Sequence, residues 1–122
     1  MKFVLRDEKT MEHEKRWGAI PENNEMDKLI VMLCKADIPF DLAIHFGRPQ
    51  VVYPSIENHV CDAVLHWGSY GREKGLLEIM GLVNEEVEDD VEGWLTAEEV
   101  FERIAEHYLK EIKKSLDKSK GL

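Results

Sequence analysis

The sequence is poor in cysteine, has no long apolar run and carries too few basic residues to balance its acids. Each shortage excludes something. The two cysteines, Cys34 and Cys61, make no C-x-x-C or other zinc-binding spacing, so neither a disulfide framework nor a zinc-stabilised fold is expected. Both sit among apolar neighbours and read as small buried thiols of a reduced, cytoplasmic protein. No apolar run approaches the roughly 18 residues that span a bilayer. The start, MKFVLRDEKT, is charged before any apolar core of signal-peptide length develops, so a soluble, non-exported chain is expected. With 16 Lys and Arg against 25 Asp and Glu, the net charge of −9 disfavours nonspecific attachment to DNA or to an anionic membrane. Reaction motifs are missing too: there is no HExxH, no GxSxG and no GxxxxGK[ST].

What is present describes a globular domain. A chain of 122 residues, 43% hydrophobic, argues for one domain, and one this long buries roughly two-thirds of its unfolded surface. Residues 1–22 read as an N-terminal extension or arm, with a short strand at Phe3, Val4 and Leu5 and a helix capped by Thr10. Residues 23–122 form the domain.

A helix is predicted over 24–36, with Asn24 as its cap, Met26, Leu29, Ile30 and Leu33 as its apolar stripe, and Pro39 as its stop. Phe40, Leu42, Ile44 and Phe46 alternate with Asp41, Ala43 and His45, the period of a half-buried strand. A turn at Gly47–Pro49 and a strand over 50–53 complete a hairpin. In HVCDAVLHW, residues 59–67, His59, Cys61, Ala63, Leu65 and Trp67 share one face, and Val60, Asp62, Val64 and His66 the other. LLEIMGLV, residues 76–83, reads as a buried strand, and 84–93 as a solvated loop. Thr96-Ala-Glu-Glu99 is a capping box opening a helix over about 97–116. Its stripe is Ala97, Val100, Phe101, Ile104, Ala105, Tyr108 and Ile112. The sum is an α+β domain ordered α-β-β-β-β-α, an antiparallel sheet of about four strands with both helices on one face.

The chemically interesting residues then divide. A single regular strand cannot bring His59, Cys61 and His66 onto one metal ion, so structural zinc is not expected. Asp41, His45, Asp62 and His66 fall on the helix-free side of the sheet, with Glu78 beside them. They could bind a metal or do acid–base work, though a hydrated polar sheet face is the plainer reading. GSYGREKG lacks the spacing of a phosphate loop and reads as a connecting turn. The most unusual feature is the stretch from Glu85 to Glu106, with ten acids and one base, Arg103.

The run WGSYGREKGLLEIMGL, the acidic stretch after it, and VEGWLTAEEVFERIAEH together resemble small hypothetical proteins of phages and mobile elements of Clostridia and related gut bacteria, over about residues 25–108. The resemblance implies a context, a small acidic phage accessory protein in a bacterial cytoplasm, and hence a class of partner: host machinery, CRISPR effector nucleases among it. It carries over no functional residue.

The leading expectation is a non-enzymatic binding protein, an anti-CRISPR-like inhibitor of a host defence nuclease. Glu85, Glu86, Glu88, Asp89, Asp90 and Glu92, with Tyr70 and Trp94, would meet a basic protein partner that itself handles nucleic acid. No cofactor, metal, membrane or direct nucleic-acid contact is expected. The rivals are a small enzyme or metal protein using Asp41, His45, Asp62 and His66, and a structural accessory protein that homo-oligomerises, as a homodimer for example, through its sheet edge or N-terminal arm.

Overall fold

The computed structural model describes residues 20–21 and 24–120; the strand and helix anticipated within residues 1–19 lie outside them. Helix α1 is Glu25–Lys35. Strands β1 (Asp41–His45), β2 (Arg48–Pro54) and β3 (His59–Val64) follow, then a 3-10 turn at Arg72–Lys74, β4 (Leu77–Met80), β5 (Val91–Leu95) and helix α2 (Ala97–Lys120). The five strands form one antiparallel meander in chain order. The protein is a single small α+β domain, as its sequence pattern indicates, with one strand more than expected.

Local chemistry explains the helix ends. Asn24 Oδ1 accepts the Asp27 amide at 3.2 Å, and Glu25 and Asp27 stand at the positive end of α1. The stop is not Pro39. Asp37 turns left-handed (φ 55°), its amide reaching Cys34 O and that of Ile38 reaching Leu33 O, a Schellman closure that satisfies the last carbonyls. At α2, Thr96 Oγ1 accepts the Glu99 amide (3.2 Å) and Glu99 Oε1 accepts the Thr96 amide (3.0 Å), the reciprocal bonds of a capping box.

The core lies on one face of the sheet. Leu42, Val51, Tyr53, Cys61, Ala63 and Ile79 project from the strands and meet Met26, Leu29 and Leu33 of α1 and Val100 and Ile104 of α2. Ile20, just before α1, is also buried there. Cys34, however, is exposed on the outer side of α1, so only Cys61 is a buried thiol. The stripe of α2 leaves the core after Tyr108: Leu109, Ile112 and Leu116 are exposed, and the helix projects past the domain.

Three strand readings change. The β1–β2 turn is Phe46–Gly47, both with positive φ, 51° and 72°, as a two-residue hairpin turn requires. Phe46 therefore leaves the core side and packs edge-on against His45 on the open face, ring centroids 4.7 Å apart. A bulge opposite Pro54 inserts one residue in β3, so His59 swings away from the face of Cys61 and places Nε2 2.8 Å from Asp62 Oδ2. Finally, the loop expected over 84–93 gives way at Val91 to a strand, 91–95: Met80 pairs Val91, and Leu77 pairs Leu95 across an irregular register.

Candidate functional site

Two features face solvent on the side away from the helices or along the edge strand β5. The first is a hollow in the open face of the sheet. The ladder aligns Ala43, Gln50, Val64 and Glu78 in one row across four strands, and Asp41, Val52, Asp62, Met80 and Val91 in the next. His66 follows β3 in the turn that Ser69 closes: Ser69 Oγ donates to His66 O and accepts the His66 amide. The result is a hollow of about 380 Å³ with His45, Gln50, Asp62, His66 and Glu78 as its polar lining and Val64, Met80 and Val91 as its apolar wall.

Three of the four residues anticipated on this face, His45, Asp62 and His66, thus converge. Asp41 does not; its Oδ2 accepts the Ile56 amide at 2.9 Å and braces the β2–β3 loop.

The electrostatics of the hollow are one-sided. The His45 and His66 rings lie 4.9 Å apart. Burial, then the neighbouring His45, pushes His66 down to about 4, so it is neutral at pH 7. Its Nδ1 accepts the Gly68 amide at 3.0 Å, which places the hydrogen on Nε2. Burial, with Asp62 nearby, raises the Glu78 carboxyl above its ordinary value, partly offset by a hydrogen bond from the Tyr70 amide. Among the described residues no three His, Cys, Asp or Glu side chains are grouped as a metal-binding set.

The second feature is an aromatic pair. Tyr70 and Trp94 stack with centroids 5.2 Å apart and planes 24° from parallel, yet are 58% and 55% exposed. The backbone is built around them. Trp94 has φ 55°, a conformation unusual for a bulky residue, and its amide donates to Tyr70 O at 3.3 Å. A methyl on Gly93 would overlap Tyr70 Cβ, and one on Gly71 would come within 3.1 Å of Trp94 Cα. Only glycine lets the two segments approach so closely.

The β4–β5 loop carries the acids. Glu85, Glu86, Glu88, Asp89 and Asp90 are all exposed, but the loop is tied down. Gly81 N donates to Asp90 O, Val87 N to Asn84 O, and Glu86 N to Asn84 Oδ1. Glu92 differs from its neighbours. It takes Arg103 of α2 in a two-pronged pair, 2.6 and 2.9 Å, and also accepts the Asn84 amide at 2.8 Å. Arg103 holds the Glu92 carboxyl below the usual carboxylate range.

The single base between residues 85 and 106 is therefore neutralised inside the molecule. Taking that stretch's ten acids and one base from the chain's 25 and 16 leaves fifteen of each, so the whole net charge of −9 belongs to this stretch.

Two further titratable groups, Tyr53 and Cys61, belong to the core. Tyr53 Oη lies 2.8 Å from His107 Nδ1, which satisfies a buried hydroxyl, and burial pushes Tyr53 up to about 12. Burial likewise pushes the Cys61 thiol up to about 12, which makes it inert as a nucleophile. Sequence pattern alone had missed the Glu92–Arg103 clip and the Tyr70–Trp94 stack; the positions were in view, but not their contacts. No helix among the described residues is long and apolar enough to cross a membrane. Comparisons with protein-family models, curated proteins and solved structures find no match to this chain.

Proposed function

We propose that this chain is a non-enzymatic binding protein that engages a basic protein partner through the β4–β5 hairpin. In the phage context that the sequence resemblance implies, the partner is a host nucleic-acid enzyme of the bacterial cytoplasm, such as a defence nuclease, and binding inhibits it. The observation that carries the reading is the Tyr70–Trp94 stack, over half exposed and held by a left-handed tryptophan, in which Trp94 stands on β5, the strand that the acidic loop leads into, and Tyr70 comes from the connection before β4. Exposed Tyr and Trp on a rigid backbone are the residue types that anchor interfaces, and backbone strain of this kind gathers at functional positions. The acids supply attraction and orientation toward a basic surface. Affinity capture from the host tests the reading, with wild type compared to Tyr70→Ala and Trp94→Asn, asparagine tolerating the left-handed backbone. A basic partner retained by the wild type and lost with either variant supports it. A partner indifferent to both overturns it.

A second reading, self-association, rests on the exposed Leu109, Ile112 and Leu116, spaced along one side of the projecting end of α2. Sedimentation equilibrium decides it: a concentration-dependent mass that Leu109→Lys abolishes supports a dimer, and a monomer at all concentrations removes it.

A further inference from the structure

We propose that the open-face hollow receives an arginine side chain of the partner, its guanidinium on Glu78 beside the Tyr70–Trp94 pair and its stem along Val64, Met80 and Val91. This rests on the reading that the partner is basic.

Among the described residues, Glu78 is the carboxylate of the hollow with no Lys, Arg or His paired to it. Asp62 already has His59 Nε2 at 2.8 Å. No Lys or Arg is among the described residues lining the space, and neutral His66 adds no positive charge. The Tyr70 backbone amide acts on the Glu78 carboxyl, so the carboxylate stands near the segment that carries the stacked pair. A half-buried carboxylate beside a second one is costly, and a bound cation removes that cost.

The form of the site selects among cations. A flat guanidinium takes a carboxylate with two N–H groups and lies face-on to Trp or Tyr at the same time, which a compact ammonium does not. The apolar wall suits a methylene stem. A hollow of about 380 Å³ is near the lower end of small-ligand sites and fits one side chain rather than a folded segment.

The test uses the full chain, ¹⁵N-labelled, titrated with acetyl-argininamide. Acetyl-citrullinamide, the uncharged isostere, and acetyl-lysinamide serve as comparisons. The arginine probe is expected to shift the Glu78 and Tyr70 amides and the Trp94 indole saturably. Citrulline should bind at least about tenfold more weakly, with lysine between. Glu78→Gln should weaken the arginine probe by at least about tenfold, whereas Glu88→Gln in the loop should leave it unchanged.

Equal binding of arginine and citrulline overturns the proposal, as does a response confined to the acidic loop or one unaltered by Glu78→Gln. Its failure is separable from failure of the interface reading. A captured partner that still depends on Tyr70 and Trp94 leaves that reading standing without the hollow.

Discussion

Replacing Glu92 by glutamine isolates one charge at a point where the structure depends on it. The side chain joins three segments: it takes two N–H groups of Arg103 on α2, accepts the Asn84 amide in the acidic loop, and sits on β5. Arg103 in turn donates to Leu82 O. The Arg103 and Glu92 side chains are 23% and 18% exposed, so the pair lies between a solvated surface bridge and a buried one. Surface bridges are worth about 0–1 kcal/mol, and breaking a buried one costs about 3–5 kcal/mol. Glutamine keeps the shape and one acceptor oxygen, so a loss of about 2 kcal/mol is expected, typical of hydrogen bonds to charged groups. In urea that lowers the midpoint by roughly 1 M.

The pH dependence gives a second, independent check. The folded Glu92 carboxyl lies below its ordinary value. A depressed pKa contributes stability that is fully present above the unfolded value, about 4.3, and is lost as pH falls through the folded one. Arg103 stays charged throughout. The gap between wild type and Glu92→Gln should thus be constant from about pH 6 to 8, begin to narrow as pH falls toward the ordinary carboxylate value, and vanish only below the folded one. Glu88→Gln, on the same loop and exposed, without a partner among the described residues, should cost less than about 0.5 kcal/mol. A Glu92→Gln loss no larger than that, or one unchanged at acid pH, would refute the clip.

Other perturbations read other parts of the fold. Thr96→Ala should cost about 1 kcal/mol through the capping box, and Ile104→Ala, deep in the core, about 2–5 kcal/mol; equal small losses in urea melts would mean that α2 is not core. Gly93→Ala should push Tyr70 off Trp94 and cost about 1–3 kcal/mol by overpacking, with a changed tryptophan emission as the direct readout; an unaltered spectrum would contradict the close approach. Of the two thiols, Cys34 should react with a chromogenic disulfide in the native state, and Cys61 only on unfolding, its thiol being buried and raised to about 12. Rapid labelling of both would mean that β3 opens readily.

The features legible in the sequence were those set by neighbours in the chain. Asn24 and the Thr96–Glu99 box announce their helices because a cap is satisfied within three residues. Asp62 and Val64 share a face because strand parity is local, and His66 joins them from the turn just after β3. What was hidden depends on other segments. His59 changed sides because β3 bulges against Pro54 of β2. β5 looked like loop because Glu92, Gly93 and Trp94 interrupt any alternation; Trp94 turns left-handed and gives its amide to Tyr70 instead of to the ladder. The Glu92–Arg103 pair spans eleven residues and two elements, and no period in the sequence encodes it. The apolar stripe of α2 reads as continuous to Ile112, but the sheet beneath it ends sooner, and Ile112 meets solvent.

The acidic stretch can be divided by what the fold uses. Glu92 clamps Arg103, Glu99 completes the capping box, and Glu98 sits in the first turn of α2, where the helix dipole favours it. Glu106 meets Lys110 in a fully solvated pair, which adds little. Glu85, Glu86, Glu88, Asp89 and Asp90 have no such use among the described residues; they repel one another on a loop whose own hydrogen bonds are backbone and Asn84 bonds. Changing Glu88, Asp89 and Asp90 to Gln and Asn should therefore leave the melt near wild type. The effect on a basic partner should be kinetic. Charges at the rim of an interface govern the rate of encounter more than the lifetime of the complex, so association should slow severalfold while dissociation changes little. Salt should slow the wild type toward the variant's rate, because beyond about 8 Å exposed charges are screened at physiological ionic strength. Equal association rates for the two proteins at low salt would remove the acids from recognition and leave Tyr70 and Trp94 as the interface by themselves.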